Sequence, residues 1–170
     1  MYRLTKPGKY VAFLHNVSGK FTFDIAGKGI DLDILGLYTG KAQDTYTINT
    51  IQRHSAPSSS SNLFIKGVFE GESKFHHEGL IRIEKKAQKS KAYQKNQSLI
   101  FDKAFVESEP FLEILANDVF CTHGSTTGKL SASQIYFLQS RGIDKKAAEK
   151  LLVTGFVDEI LDKVKQYQNS

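Results

Sequence analysis

"GIDLDIL", residues Gly29–Leu35, alternates apolar and acidic side chains without a break. In an extended chain successive side chains point to opposite faces, so Ile30, Leu32 and Ile34 share one face and Asp31 and Asp33 the other. The same period of two recurs in "FTFDI", where Phe21, Phe23 and Ile25 align, and in "LFIKGVF", "LIRIE", "SLIF" and "FLEIL". Glycine, asparagine or serine interrupts nearly every run, and no helical period of useful length lies between them. Leu63, Leu80, Leu99 and Leu112 fall in successive runs at separations of 17, 19 and 13 residues. That irregular repeat points to a mainly β fold built as a parallel β-helix, whose stacked coils bury their inner faces against their neighbours. A β-sandwich is the competing reading, and periodicity alone leaves the two nearly even.

The texture changes near Leu130. Ser131 and Gln134 have capping-box spacing, with Leu130 and Ile135 placed as a hydrophobic staple. The helix so started carries Ile135, Tyr136 and Leu138 and is expected to stop at Gly142. Asp144 caps a second helix, in which Ala148, Leu152, Phe156, Ile160 and Val164 form an apolar row at spacing four. Gly155 interrupts it, at a cost of about 1 kcal/mol against alanine, so a close approach by another backbone is expected there. Residues 1–129 are therefore read as a β-solenoid core and residues 130–170 as a small helical subdomain. The row is expected to pack on the solenoid, leaving Leu151, Val157 or Leu161 for a partner.

The chain has 170 residues, enough for one domain with an appendage, and 40% of them are hydrophobic against 24% charged. No apolar stretch has the roughly 18 residues a membrane helix needs, and no signal-peptide pattern opens the chain. The single cysteine cannot form an internal disulfide, which fits a reducing compartment and makes the cytoplasm the default location. A net charge of +5 permits a polyanionic partner without demanding one.

Cys121 and His123, in "DVFCTHGSTTGKL", are spaced to project from one face of a strand. A thiolate and an imidazole so placed could share a soft metal ion, although two ligands fall short of the four that zinc or an iron–sulfur cluster takes. The competing reading is a buried thiol behaving as a small hydrophobe. His76 and His77 are adjacent, so a strand turns them to opposite faces, and a solvated turn is the plainer reading of "KFHHEG". Lys85, Lys86, Lys89, Lys91 and Lys95 surround Tyr93 and could track a phosphate backbone, but lysines also guard exposed strand edges. "GSTTGK" has the wrong spacing for a Walker phosphate loop. Asp31 and Asp33 read as solvated strand residues rather than an acid/base pair. No active site is complete within the chain.

"KAYQKNQSLIF", "PFLEILANDVFCTHGSTTGKL" and "IYFLQSRGIDKKAAEKLLVTGFVDEIL" resemble the C-terminal half of the SufB/SufD family of iron–sulfur cluster assembly proteins. "GLYTGKAQDTYTINTIQRHSAPSSSSNLFIKGVFEG" is similar to the preceding coils, so the likeness runs from about Phe21 to Ile160. The resemblance implies a β-helix with a helical C-terminal subdomain and resolves the choice against the sandwich. It also implies pairing with SufB, docking of the ATPase SufC and assembly of clusters from persulfide sulfur. The SufB branch carries a cysteine where this chain has Asn96 and a glutamate where it has Gly124, whereas "CTHGST" resembles the SufD branch. On that likeness His123 is a metal ligand at the heterodimer interface and Cys121 a secondary cluster-binding group. Members of that branch are usually more than twice as long, so the chain is expected to be a truncated piece or a reduced homologue.

The leading expectation is thus a scaffold subunit without turnover, handling a nascent iron–sulfur cluster shared transiently with a SufB-type partner. A homodimer is expected in isolation, through β-augmentation of the strands around Leu112 to Phe120. Neither nucleic acid nor membrane is expected as a partner. Two other classes compete: a carbohydrate-active β-helix enzyme, which needs clustered carboxylates on one solenoid face, and a nucleic-acid-binding module.

Overall fold

The computed structural model describes residues 1–168; Asn169 and Ser170, at the end of the expected helical tail, lie outside the described residues. Ten strands come first: β1 (Tyr2–Leu4), β2 (Gly8–His15), β3 (Gly19–Ile25), β4 (Ile30–Gly40), β5 (Thr45–His54), β6 (Ser60–Phe69), β7 (Lys74–Ile83), β8 (Ser90–Ile100), β9 (Phe105–Ile114) and β10 (Val119–Gly128). They are followed by α1 (Ala132–Gln139) and α2 (Lys145–Gln168). Strands alternate between two five-stranded sheets, β1-β3-β5-β7-β9 and β10-β8-β6-β4-β2, and every pairing is parallel. The molecule is a β-solenoid with two helices near its C-terminus, as the resemblance implies, and not the β-sandwich that the alternating pattern alone leaves open.

The true repeat differs from the spacing of the leucines. Asn62 donates to Asp33, 29 residues earlier, and His76 meets Glu107, 31 residues later, each pair lying across neighbouring coils. One coil therefore takes two strands, and the leucine-bearing runs mark half-coils. The leucines also fail to share a face: Leu63 is buried inside, whereas Leu80 and Leu99 sit on the opposite parity to the buried Ile81 and Ser98.

The corners set the coil length. Gly29, Ser58 and Lys89 all have positive φ at equivalent positions, as do Ala42, Gly71 and Asp102. Backbone bonds tie each corner to the next: the Gly29 amide donates to Ser58 O at 3.0 Å and the Ser58 amide to Gln88 O at 2.9 Å. A left-handed residue other than glycine costs about 1–2 kcal/mol, which this stacked bonding offsets.

Inside, one half of the solenoid is apolar and aromatic. Phe75 stacks on Phe69 and lies tilted against Tyr38 within a cluster that includes Ile25, Ile34, Ile48, Leu63 and Ile65. Towards the C-terminal coils the inner face turns polar, with Gln52, His54, Ser61, His77, Gln94, Asn96 and Ser98 all buried. Gly79 makes room for this: a Cβ there would lie 2.0 Å from Gln94 Nε2.

The tail follows its sequence closely in some respects. Ser131 Oγ accepts from the Gln134 amide, Asp144 Oδ1 accepts from the Ala147 amide at 3.1 Å, and Gly142 has a φ of +83° just past the end of α1. The row through Ala148 and Ile160 faces inward, and Ile160 packs on Leu35, Leu37 and Phe64 of the outer face of β4 and β6. Two expectations need correction. Val157 and Leu161 join that contact instead of remaining free, because α2 lies along the sheet and turns more than one row toward it. Gly155 has no atom within 4 Å of where its Cβ would stand, so no backbone approaches it; it sits on the open side of the helix.

Candidate functional site

The last coil, β9 and β10, has neighbours on one side only. In register with β8, Cys121 lies beside Ala92, His123 beside Gln94, Ser125 beside Asn96 and Thr127 beside Ser98. The β8 partners are the inward, buried residues of that strand, so Val119, Cys121 and His123 belong to the inner face of the terminal coil. Val119 and Cys121 pack on Ile81, Ile83, Ala87, Ala92 and Ala116. Burial pushes the Cys121 thiol up, favouring the protonated form. His123 is exposed, two residues further out along the strand. Gly124 sits mid-strand with open space around it rather than in a turn.

Around this face the terminal coil is apolar and open. Phe111, Leu112, Ile114 and Leu115 are exposed at the edge of one sheet, and Phe120 is 63% exposed at the edge of the other. Both β9 and β10 are edge strands. Behind them runs the polar interior. His77 bridges Thr50 Oγ1 at 3.0 Å and Ser108 Oγ at 3.2 Å, while His54 Nε2 meets Ser61 Oγ at 2.8 Å. Four buried polar atoms find no partner within the described residues: Gln52 Oε1, His54 Nδ1, Gln94 Oε1 and Asn96 Nδ2. Burial holds both imidazoles neutral, driving His54 and His77 down to about 4. The strand "TYTINTIQRH" carried this signal, since Ile48, Thr50, Gln52 and His54 share the inward parity, but polar residues at alternate positions are ordinarily read as the solvated face.

The other candidates lie apart. His76 and His77 point to opposite faces as expected, but from the middle of β7 rather than from a turn; His76 pairs with Glu107 at 2.9 Å. Lys91, Tyr93 and Lys95 lie on the outer face of β8, which is an interior strand, so they guard no edge. Asp33 is bonded by Asn62 and by the Tyr167 hydroxyl, and Asp31 by Ser60, so these carboxylates serve as structural acceptors. Among the described residues no three His, Cys, Asp or Glu side chains converge as a metal site. Among them, too, no helix is long and apolar enough to cross a membrane.

A family model described as "SUF system FeS cluster assembly, SufBD core domain" matches residues 14–156. The chain belongs to the SufBD family. Among curated relatives, the iron-sulfur cluster assembly protein SufD of Escherichia coli is 29% identical over 149 residues, covering 87% of this chain and 34% of the relative. SufD of Bacillus subtilis is 28% identical over 144 residues, or 84% of this chain and 33% of the relative. A SufBD family protein of Synechocystis is 32% identical over 109 residues, covering 64% of this chain and 24% of the relative. The chain thus spans about a third of the length of the SufD relatives it matches. At the terminal coil of this SufBD family member Cys121 and His123 share the inner face beside an exposed apolar rim; β1 and β2 edge the opposite end of the stack.

Proposed function

We propose that the chain is a non-catalytic scaffold subunit of the SUF iron–sulfur cluster assembly complex, working in the cytoplasm. It pairs with a SufB-type subunit through β9 and β10 and carries a SufC-type ATPase on its C-terminal helices. The observation that carries this reading is the unfinished terminal coil. Two edge strands, an apolar rim and an exposed inward-facing His123 meet at one end of the solenoid. An edge of unpaired amides and carbonyls recruits another strand, and the apolar rim adds burial when it does.

The cluster is cargo here. His123 supplies an imidazole from this chain, the partner supplies the remaining ligands, and Cys121 stands nearby as a secondary thiol. Iron accepts imidazole as well as thiolate, and a neutral ligand suits a cluster that must leave. The raised Cys121 thiol supports ranking it second, since a thiol must lose its proton to bind metal. On the helices Tyr136, Phe137 and Leu151 are exposed, at 74% for Tyr136, and they replace Val157 and Leu161 as the surface offered to the ATPase.

Reconstitution with SufB- and SufC-type subunits tests the site. His123→Ala is expected to reduce cluster absorbance per complex to a minor fraction of wild type, while Cys121→Ser keeps most of it. Wild-type yield in His123→Ala would remove His123 from the ligand set, and equal losses in both variants would reverse the ranking.

In isolation the same edges are expected to pair two copies. Light scattering at tens of micromolar should report a dimer, a concentration at which even a micromolar interface is populated. A monomer at that concentration would count against the terminal coil as an interface.

A further inference from the structure

A groove of about 340 Å³ runs between α2 and the outer face of the β4–β6–β8 sheet, away from the terminal coil. Its floor is apolar, made by Leu35, Phe64 and Tyr93. Three ammonium groups gather over the Phe64 ring: Lys95 Nζ is 5.3 Å from the centroid, Lys66 Nζ 5.6 Å and Lys163 Nζ 5.8 Å. Only one has a carboxylate partner. Lys66 pairs with Glu159, while Lys95 and Lys163 make no ion pair among the described residues. Glu159 is held below the usual carboxylate range chiefly by its hydrogen bond from Lys66, with the charges of Lys66, Lys95 and Lys163 adding to it. The other acid in the groove, Asp33, already accepts from Asn62 at 2.8 Å and from Tyr167.

Holding like charges together near one ring costs electrostatic energy that a bound anion relieves, and lysines that are exposed, like Lys163, or half-buried, like Lys95, can reach one. Here two of them, one from the sheet and one from the helix, flank an apolar floor with room for a small molecule. We propose that this groove binds a small phosphomonoester with a flat apolar body. The phosphate bridges Lys95 and Lys163, and the body lies on Phe64 and Tyr93. Phosphate is favoured over a single carboxylate because its charge of about −1.5 to −2 and its three terminal oxygens match two separate ammonium groups better. Such a ligand would join β8 to α2, clamping the helical tail onto the solenoid.

Phenyl phosphate is the probe, with inorganic phosphate and phenol as its two halves, followed by amide chemical shifts of the intact chain. Saturable shifts are expected at β6, β8 and α2 with a Kd near or below about 1 mM, weakened roughly tenfold for inorganic phosphate. Lys95→Gln and Lys163→Gln should each weaken phenyl phosphate by about fivefold or more. Lys91→Gln changes the same face of β8 outside the groove and should leave binding unchanged. An equal loss in Lys91→Gln would reduce the effect to diffuse surface charge and overturn the proposal. So would shifts that stay linear in probe concentration, or phenol binding as tightly as phenyl phosphate.

Discussion

Lowering the pH from about 7 to about 4.5 is expected to remove on the order of 2–3 kcal/mol of stability for each of His54 and His77. The unfolded chain protonates its histidines near 6.5, whereas the folded chain holds both down to about 4. Between those values the unfolded state binds more protons, so stability is fully present above 6.5 and is lost as the pH falls toward 4. Together the two are a large part of the 5–15 kcal/mol that typically stabilises a domain. His54 is the worse placed, since its Nδ1 has no acceptor within the described residues, whereas both ring nitrogens of His77 face hydroxyl oxygens. Denaturant melts across the range give the slope directly, and His54→Gln and His77→Gln should each remove about half of it. Carboxylates complicate the reading only at the acid end. Glu84, lowered by its hydrogen bond from Arg53, and Glu159, lowered by Lys66, titrate below the usual carboxylate value. A flat profile from 7 to 5 would mean that the imidazoles are not buried in the polar interior.

Removing Glu159 should undo the docking of α2. Lys66 is 2% exposed, and its ammonium is satisfied by Glu159, by Phe156 O at 2.9 Å and by the Phe156 ring at 4.1 Å. Breaking a buried pair by deleting one partner costs about 3–5 kcal/mol, because the remaining charge stays desolvated. Glu159 itself is half exposed, so Glu159→Ala is expected at the lower end of that range. α2 can relieve the strain by lifting off β4 and β6 and letting Lys66 reach water. Hydrogen exchange in α2 should accelerate well beyond that in the sheets. The double variant Lys66→Met/Glu159→Met should recover most of the loss, since an apolar pair of similar volume carries no desolvation cost. An unchanged stability and unchanged α2 exchange in Glu159→Ala would show that the pair contributes nothing to docking.

The sequence by itself determined the cleanly alternating strands, though not β1, β2 or β5, and the helices with their caps. Alternation in "GIDLDIL" and "FTFDI" is a local consequence of backbone geometry, and so are the caps at Ser131 and Asp144. It also carried the family, through motifs whose order survives at modest identity. Tertiary structure alone decided what depends on stacking. The 29- and 31-residue coil is set by left-handed corners at Ser58, Lys89, Ala42 and Asp102, and of these residue types only aspartate commonly takes a positive φ. Which parity faces inward was also decided there. Thr50, Gln52 and His54 look like a solvated face, yet they are buried; Thr50 meets His77 on the neighbouring strand and His54 meets Ser61 across the interior. Gly155 shows the converse: a glycine in an apolar helix suggests contact, but which side of α2 meets the sheet is fixed by Ile160 on Phe64 and Lys66 on Glu159. Cys121 and His123 share a face by strand geometry, which the sequence gives away. Only the stack, by ending at that coil, partly buries Cys121 and leaves His123 exposed.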